Sequence, residues 1–166
     1  MKGLIVFAAQ YGVIACLLIA AYVWLRLPWT RRFELAARAL IGGVIGLALI
    51  ALAGSLYYDP RPFVASHGVA LFAHHADNGF PSDHATLTMF VALCVLCYSR
   101  TWGALLIVLS LLIGAARVAA HVHSPIDIIG GIAVAGLAAL IARPLARWLL
   151  KCLSLGSPGE RQRGGG

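Results

Sequence analysis

Long runs without a single charge constrain this chain more than any other feature. Gly3–Leu25 holds 23 residues free of Asp, Glu, Lys and Arg, and Ala39–Tyr58 holds 20. A helix needs about 20 residues to cross the hydrocarbon core of a bilayer, so each run is long enough to span it. Ala85–Ser99, Thr101–Ala116 and Ile128–Ala142 are uncharged runs of 15 or 16 residues, and each reaches an interface by continuing through the polar residues at its ends. Composition agrees: 61% of residues are hydrophobic and 11% charged, against about 25% charged in a soluble domain. A large soluble domain is excluded. The expected fold is an all-α membrane protein, a bundle of about five transmembrane helices. The apolar part of the first run exceeds the ~7–15 residues of a signal h-region and no small-residue cleavage pattern follows, so it is expected to remain in the mature protein.

Thirteen Lys and Arg against six Asp and Glu give a net charge of +7, which elsewhere would suggest nucleic acid. Here the distribution assigns the charge to topology instead, and no nucleic-acid partner is expected. With five spans and the N-terminus outside, ten basic residues fall on the cytoplasmic side: Arg26, Arg31, Arg32, Arg38, Arg100, Arg143, Arg147, Lys151, Arg161 and Arg163. Lys2, Arg61 and Arg117 remain outside. This is a strong positive-inside bias, and Trp24, Trp29, Trp102 and Trp148 fall at the same cytoplasmic boundary, as an aromatic belt would. A membrane-embedded domain over 1–153 and a disordered cytoplasmic tail over 154–166, polar and rich in Gly, complete the expected organisation. Cys94 and Cys97 form a CxxC, but inside an apolar helix such residues read as small packing groups. Gly42 and Gly46 form a small-xxx-small pair suited to close helix packing. Nothing in the sequence specifies an oligomeric state.

All six histidines (His67, His74, His75, His84, His121, His123) and four of the six acids (Asp59, Asp77, Asp83, Asp127) fall in two outer segments, 59–84 and 117–127. Polar groups so concentrated at one edge of an apolar bundle mark a functional site, and its expected location is the extracytoplasmic interface. In the second segment Ser124 as N-cap, Pro125 at N1 and Asp127 at N3 start the last helix. Asp127 alone reads as a first-turn acid favoured by the helix dipole. It also stands four residues after His123, within reach of one imidazole nitrogen, leaving the other free as a nucleophile. Arg117 lies near the outer end of its helix, where an unpaired guanidinium is costly unless it snorkels or meets an anion. In the first segment Pro60 and Pro62 stiffen the backbone around Arg61, a planar phosphate clamp. Ser82 occupies an N-cap position beside His84, with the positive end of a helix dipole ready for an anion. Together these make a phosphate pocket with a nucleophile and an acid.

Arg61-Pro62, then Pro81-Ser82-x-His84, then Arg117, His123 and Asp127 at spacings of six and four resemble the three-part signature of the type 2 phosphatidic acid phosphatase (PAP2) superfamily. Within it, Tyr57-Tyr-Asp-Pro-Arg-Pro-Phe-Val64 and His74-x-x-Asp77-x-x-Phe80-Pro-Ser-Asp-His84 are similar to the bacitracin-resistance type of undecaprenyl-diphosphate phosphatase. The broad family has a lysine where this chain has Gly54, and a glycine where it has Asp83; the first removes a phosphate ligand, and the second is expected to turn its carboxylate away. The resemblance implies a polyprenyl diphosphate lipid substrate, met among membrane lipids at the outer face of the bacterial cytoplasmic membrane. It implies His123 as nucleophile forming a phosphohistidine, Asp127 holding its tautomer, and His84 as acid and then base. Arg61, Ser82 and Arg117 would bind phosphate, with no metal or cofactor required. His67, His74, His75 and His121 carry no implied role, His74 being the best placed to touch a diphosphate. Other substrates of the same chemistry are phosphatidate, phosphatidylglycerophosphate and lipid A phosphate. A metal transporter would use the histidines and aspartates as ligands, but it needs polar groups near the midplane, and a non-catalytic membrane scaffold would not depend on His123.

Overall fold

The computed structural model describes residues 1–155. Five long helices and one single-turn helix account for it: α1 (Lys2–Arg26), α2 (Trp29–Leu56), α3 (Pro62–Ala65), α4 (Asp83–Leu96), α5 (Arg100–Ala119) and α6 (Pro125–Leu155). Helices α1, α2, α5 and α6 are long and apolar enough to cross a membrane. Helix α4 has 14 residues, about 21 Å at 1.5 Å per residue, and is shorter than the hydrocarbon core. The expected tail falls, from residue 156, outside the described residues, and α6 itself continues to Leu155.

Packing explains the short helix. Helix α4 is the central element, touching α1, α2, α5 and α6. Ala85, Thr86, Thr88, Met89, Phe90, Ala92, Cys94 and Val95 are all buried, as expected of a helix apolar on every side. On one flank Leu35, Met89, Phe90, Cys94, Ala135 and Ala138 form the core between α2, α4 and α6. On the other Cys16, Val23, Ala92, Val95, Leu106 and Ile113 pack α1 against α4 and α5. Large apolar residues such as Leu18, Leu40, Leu112 and Leu140 point outward, the face such a bundle presents to lipid. One polar contact bridges the core, between the Thr88 and Ser110 hydroxyls at 2.7 Å.

The two ends of the bundle differ in kind. At one, Trp24 Nε1 donates to the Arg32 carbonyl at 3.0 Å and Arg32 Nε to the Leu27 carbonyl at 2.8 Å, closing the α1–α2 turn. There Tyr22 meets Trp102 edge-on, and Arg147 lies 3.7 Å from Glu34. At the other, residues 57–82 fold back over the turn between α5 and α6. Leu71 N donates to the Ala120 carbonyl at 3.1 Å, and Ser82 N to the Asp127 carbonyl at 3.1 Å. Helix α2 starts ten residues before its uncharged run, because Arg31, Arg32, Glu34 and Arg38 all fit on a helix emerging at an interface.

Candidate active site

The last turn of α5, the turn after it and the start of α6 form one unit. Ser124 Oγ accepts from Asp127 N at 3.4 Å while Ser124 N donates to Asp127 Oδ2 at 2.8 Å. This reciprocal cap fixes the first turn of α6. The same Oδ2 lies 3.1 Å from His123 Nδ1, so Nδ1 carries the hydrogen and donates it, and Nε2 is left with its lone pair. His123 is 3% exposed and Asp127 fully buried behind it.

Two guanidinium groups converge on that free nitrogen. Arg61 Nη1 lies 3.3 Å and Arg117 Nη2 3.2 Å from His123 Nε2. Both arginines are buried, at 6% and 2% exposure, and both are anchored by backbone: Arg61 Nη1 donates to the Val122 carbonyl at 2.8 Å, Arg117 Nη1 to the Ala9 carbonyl at 3.0 Å. Arg61 is held as expected between its prolines, as the N-cap of α3. Burial, followed by these two cations, holds the His123 imidazole below its ordinary value against the opposing pull of Asp127. It is therefore neutral at physiological pH, the form able to attack.

These groups open into a cleft of about 440 Å³ lined by Arg61, His74, Asp77, His84, Arg117 and His123. His84, on the first turn of α4, faces it half-buried. Ser82 does not: its side chain is fully buried and engaged as the α4 cap, accepting from Ala85 N at 3.5 Å. In this position Ser82 holds the helix start. Thr86 and Thr88 reinforce that start by donating to the Ser82 and His84 carbonyls at 2.9 and 2.7 Å. Asp83 is exposed and lines the cleft, so its carboxylate stays at the rim and does not turn away as expected. At Gly54 a Cβ would stand 3.2 Å from the Phe80 carbonyl oxygen, and no lysine reaches the cleft from this position.

Several participants lie outside the three-part signature. His74 Nε2 accepts from Arg117 Nη2 at 2.9 Å. Burial, and then the charges of Arg61 and Arg117, push its imidazole down to about 4, so it is a neutral acceptor. Asp77 Oδ1 accepts from Arg61 Nε at 2.6 Å. Burial would raise this carboxyl, but the Arg61 hydrogen bond and charge outweigh burial and hold it below its usual value. Asp59 ties all the segments together: its N–H donates to Asn78 Oδ1 at 3.0 Å, its carbonyl accepts from Gly79 N at 2.8 Å, and its carboxylate accepts from the Ser124 hydroxyl. Glycine is required at 79, because a Cβ there would stand 2.7 Å from Asp127 Oδ2. His67, His75 and His121 do not line the cleft. Among the described residues no group of three or more His, Cys, Asp or Glu is arranged to hold a metal ion.

Comparison with known proteins identifies the family. Residues 36–151 match the PAP2 superfamily model. The chain is 34% identical to undecaprenyl-diphosphatase BcrC of Bacillus subtilis over 135 residues, covering 81% of this chain and 69% of that protein. It is 35% identical over 146 residues to YbjG of Escherichia coli, covering 86% and 72%. A Bacillus licheniformis protein named bacitracin transport permease protein BcrC is 30% identical, covering 84% and 69%. No solved structure matches. With a family model over most of its length and relatives of this identity over most of theirs, the chain belongs to the PAP2 superfamily of phosphatases, as a multi-pass membrane member.

Proposed function

We propose that this protein hydrolyses undecaprenyl diphosphate to undecaprenyl phosphate and phosphate at the outer face of the cytoplasmic membrane. The observation that carries the reading is the His123 imidazole, held by Asp127 through Nδ1 and facing two buried guanidinium groups through Nε2. In the first step Nε2 attacks the terminal phosphorus. The N–P bond forms and the bond from phosphorus to the bridging oxygen breaks. Burial and then the Arg117 charge hold His84 down to about 4 before substrate binds; it takes up a proton from water as the anionic diphosphate offsets the two guanidinium charges, and gives that proton to the departing lipid phosphate. Arg61 and Arg117 take up the charge on the equatorial oxygens, a stabilisation worth about 10²–10³ in rate for each donor in comparable sites. In the second step a water that loses its proton to His84 attacks phosphorus and releases phosphate from His123. Asp127 keeps the Nδ1 proton in place throughout, and Ser82 holds the helix start that presents His84. No step calls for a metal ion.

The names of the Bacillus subtilis and Bacillus licheniformis relatives support the substrate and a link to bacitracin tolerance, since bacitracin sequesters the same diphosphate. The outward-facing site and cytoplasmic C-terminus rest on the ten-to-three distribution of basic residues. The test is to give purified protein undecaprenyl diphosphate, phosphatidate, phosphatidylglycerophosphate and inorganic diphosphate, and to quench with labelled terminal phosphate. Undecaprenyl diphosphate should be fastest, with an acid-labile, alkali-stable label on the protein. In His123→Ala both label and turnover should be lost while the thermal melt is kept. Label retained in that variant, or phosphatidate turned over fastest, would overturn the mechanism or the substrate respectively.

A further inference from the structure

The cleft receives more negative charge than it holds positive charge to meet. The terminal phosphoryl group of a lipid diphosphate carries about −1.5 to −2 at neutral pH, as a phosphomonoester does, and the inner phosphate adds a further negative charge. Arg61 and Arg117 oppose this, but Asp77 already accepts from Arg61, and Asp83 stands at the rim. The other titratable groups of the cleft are the imidazoles of His74, His84 and His123. In the reaction His123 attacks as a neutral ring and His84 passes a proton to the leaving lipid. His74 has no part in that scheme, although it is held among the reacting groups.

Its position is specific. His74 Nε2 accepts from Arg117 Nη2 at 2.9 Å, and the same Nη2 lies 3.2 Å from His123 Nε2. The two imidazole rings stand edge to face, their centroids 6.2 Å apart. A phosphoryl group placed for attack by His123 must set an oxygen on that Nη2, so it arrives beside His74 and competes with it for the arginine. A neutral His74 would then turn a lone pair toward phosphate oxygens and repel them. A ring with a proton on Nε2 becomes a donor to them instead. In the empty cleft burial, then Arg61 and Arg117, push His74 down to about 4, and an anion bound between the two arginines cancels their share. The charged and titratable groups around it are Arg61, Arg117, His123, His84 and Asp83, with Asp77 on its own loop, while Ile50, Ala51 and Gly54 of α2 add no charge.

We propose that His74 is a proton-taking phosphate ligand: as the lipid diphosphate enters, His74 releases Arg117 Nη2, takes a proton from water onto Nε2 and donates that hydrogen to a phosphate oxygen. The assignment rests on reading the cleft as the phosphate site. A permanent cation in this place would face two guanidinium groups in the empty site with no anion between them, a costly arrangement in a buried setting. An imidazole supplies the charge only while the anion is present. Binding therefore tightens as pH falls, because the complex holds a proton that the free protein lacks. The lipid monophosphate left after reaction brings less charge, calls up that proton less strongly and leaves more readily.

The test separates a proton on His74 from its bond to Arg117. In His74→Gln the amide oxygen still accepts from Arg117 Nη2 but cannot be protonated, and His74→Lys carries the charge at all times. Proton uptake is measured at pH 7 by titration calorimetry of the full chain in detergent, in buffers of different ionisation enthalpy. The probe is farnesyl methylenediphosphonate, whose bridging methylene resists hydrolysis. The titrations of the probe and of His84 are common to all three proteins, so the difference reports position 74. Uptake should fall by about half a proton or more in His74→Gln and as far in His74→Lys. With undecaprenyl diphosphate, KM should rise about tenfold in His74→Gln with kcat changed less than about threefold, and His74→Lys should restore KM. Equal uptake in the unmodified and glutamine proteins would overturn the proposal, whether or not kcat fell, and would leave His74 as a group that only aims Arg117. Should the lysine variant fail to fold, the glutamine comparison decides alone. If the unmodified protein neither bound the probe nor released phosphate from undecaprenyl diphosphate, the phosphatase reading itself would fail, an outcome distinct from equal uptake.

Discussion

Both ends of the bundle bury arginine, and they do so to different ends. At the Trp-rich end Arg38 is 5% exposed beside Cys94, Cys97 and Tyr98, and its Nε has no hydrogen-bond partner. At the opposite end Arg61 and Arg117 are as deeply buried, but their guanidinium edges converge on one imidazole nitrogen and open into a cleft. Burial of a cation therefore does not identify a site. Convergence does, because two fixed cations aimed at one atom repel each other unless an anion arrives between them, whereas a single buried cation can be satisfied by its own surroundings.

The sharpest test of that contrast is to replace arginines at both ends. Arg117→Lys should lower kcat/KM about 100-fold or more, since a lysine cannot keep the Ala9 carbonyl and the phosphate at once. Arg38→Met should change kcat/KM less than about twofold and leave the thermal melt unchanged or raised, the usual outcome when a buried ion is replaced by an apolar group of similar volume. A comparable loss of activity in both variants would dissolve the distinction.

A smaller effect is expected at Asp59, which touches no reacting atom. Asp59→Asn keeps the shape but weakens its bond from the Ser124 hydroxyl, loosening the cap that aims Asp127 at His123. Phosphate release should fall about tenfold in kcat with KM little changed. Ser124→Ala should do the same, and the double variant no more than either alone, because both act through one contact. Additive losses would show that Asp59 acts elsewhere.

The smallest effect concerns pH. His74 binds a proton near its ordinary ~6.5 in the unfolded chain and only near about 4 when folded. Above pH 6.5 it is neutral in both states and contributes nothing to pH dependence. Between 6.5 and 4 the unfolded state holds the extra proton, so stability falls as pH falls; below 4 the loss is constant. The lowered His123 adds in the same sense. The melting temperature should therefore drop as pH goes from 7 to 4, less steeply in His74→Gln, and an identical slope in that variant would remove His74 from the buried pair with Arg117.

Much of this architecture was legible in the chain because membranes impose lengths. Uncharged runs located all five long helices, and missed the early start of α2, the shortness of α4, whose ends are set by neighbouring helices, and the continuation of α6 from Ala142 to Leu155. His123, Asp127, Arg61, Arg117 and His84 were legible because each sits at a helix end or between prolines, where local geometry fixes direction. His74, Asp77 and Asp59 stood in the family-like stretches, and His74 was singled out for the diphosphate, but the partners of the three were not legible. They reach the site through a long loop whose course depends on tertiary hydrogen bonds, from Gly79 to Asp59 and from Leu71 to Ala120, that leave no periodic trace. Asn78 and Gly79 were a signal of a tight connection there, but not of what it connects. Ser82 was read by its neighbours, and its burial could be known only once α6 was in place.

The bond from Arg117 to the Ala9 carbonyl has a consequence for biogenesis. Ala9 lies on α1 and contributes no side chain to catalysis, yet it supplies an anchor for a residue more than one hundred positions later in the chain. Until the first and fifth helices have met within the bilayer, that guanidinium has no fixed direction. The aim of Arg117 thus depends on α1 packing against α5, which would make enzymatic activity a reporter of completed assembly.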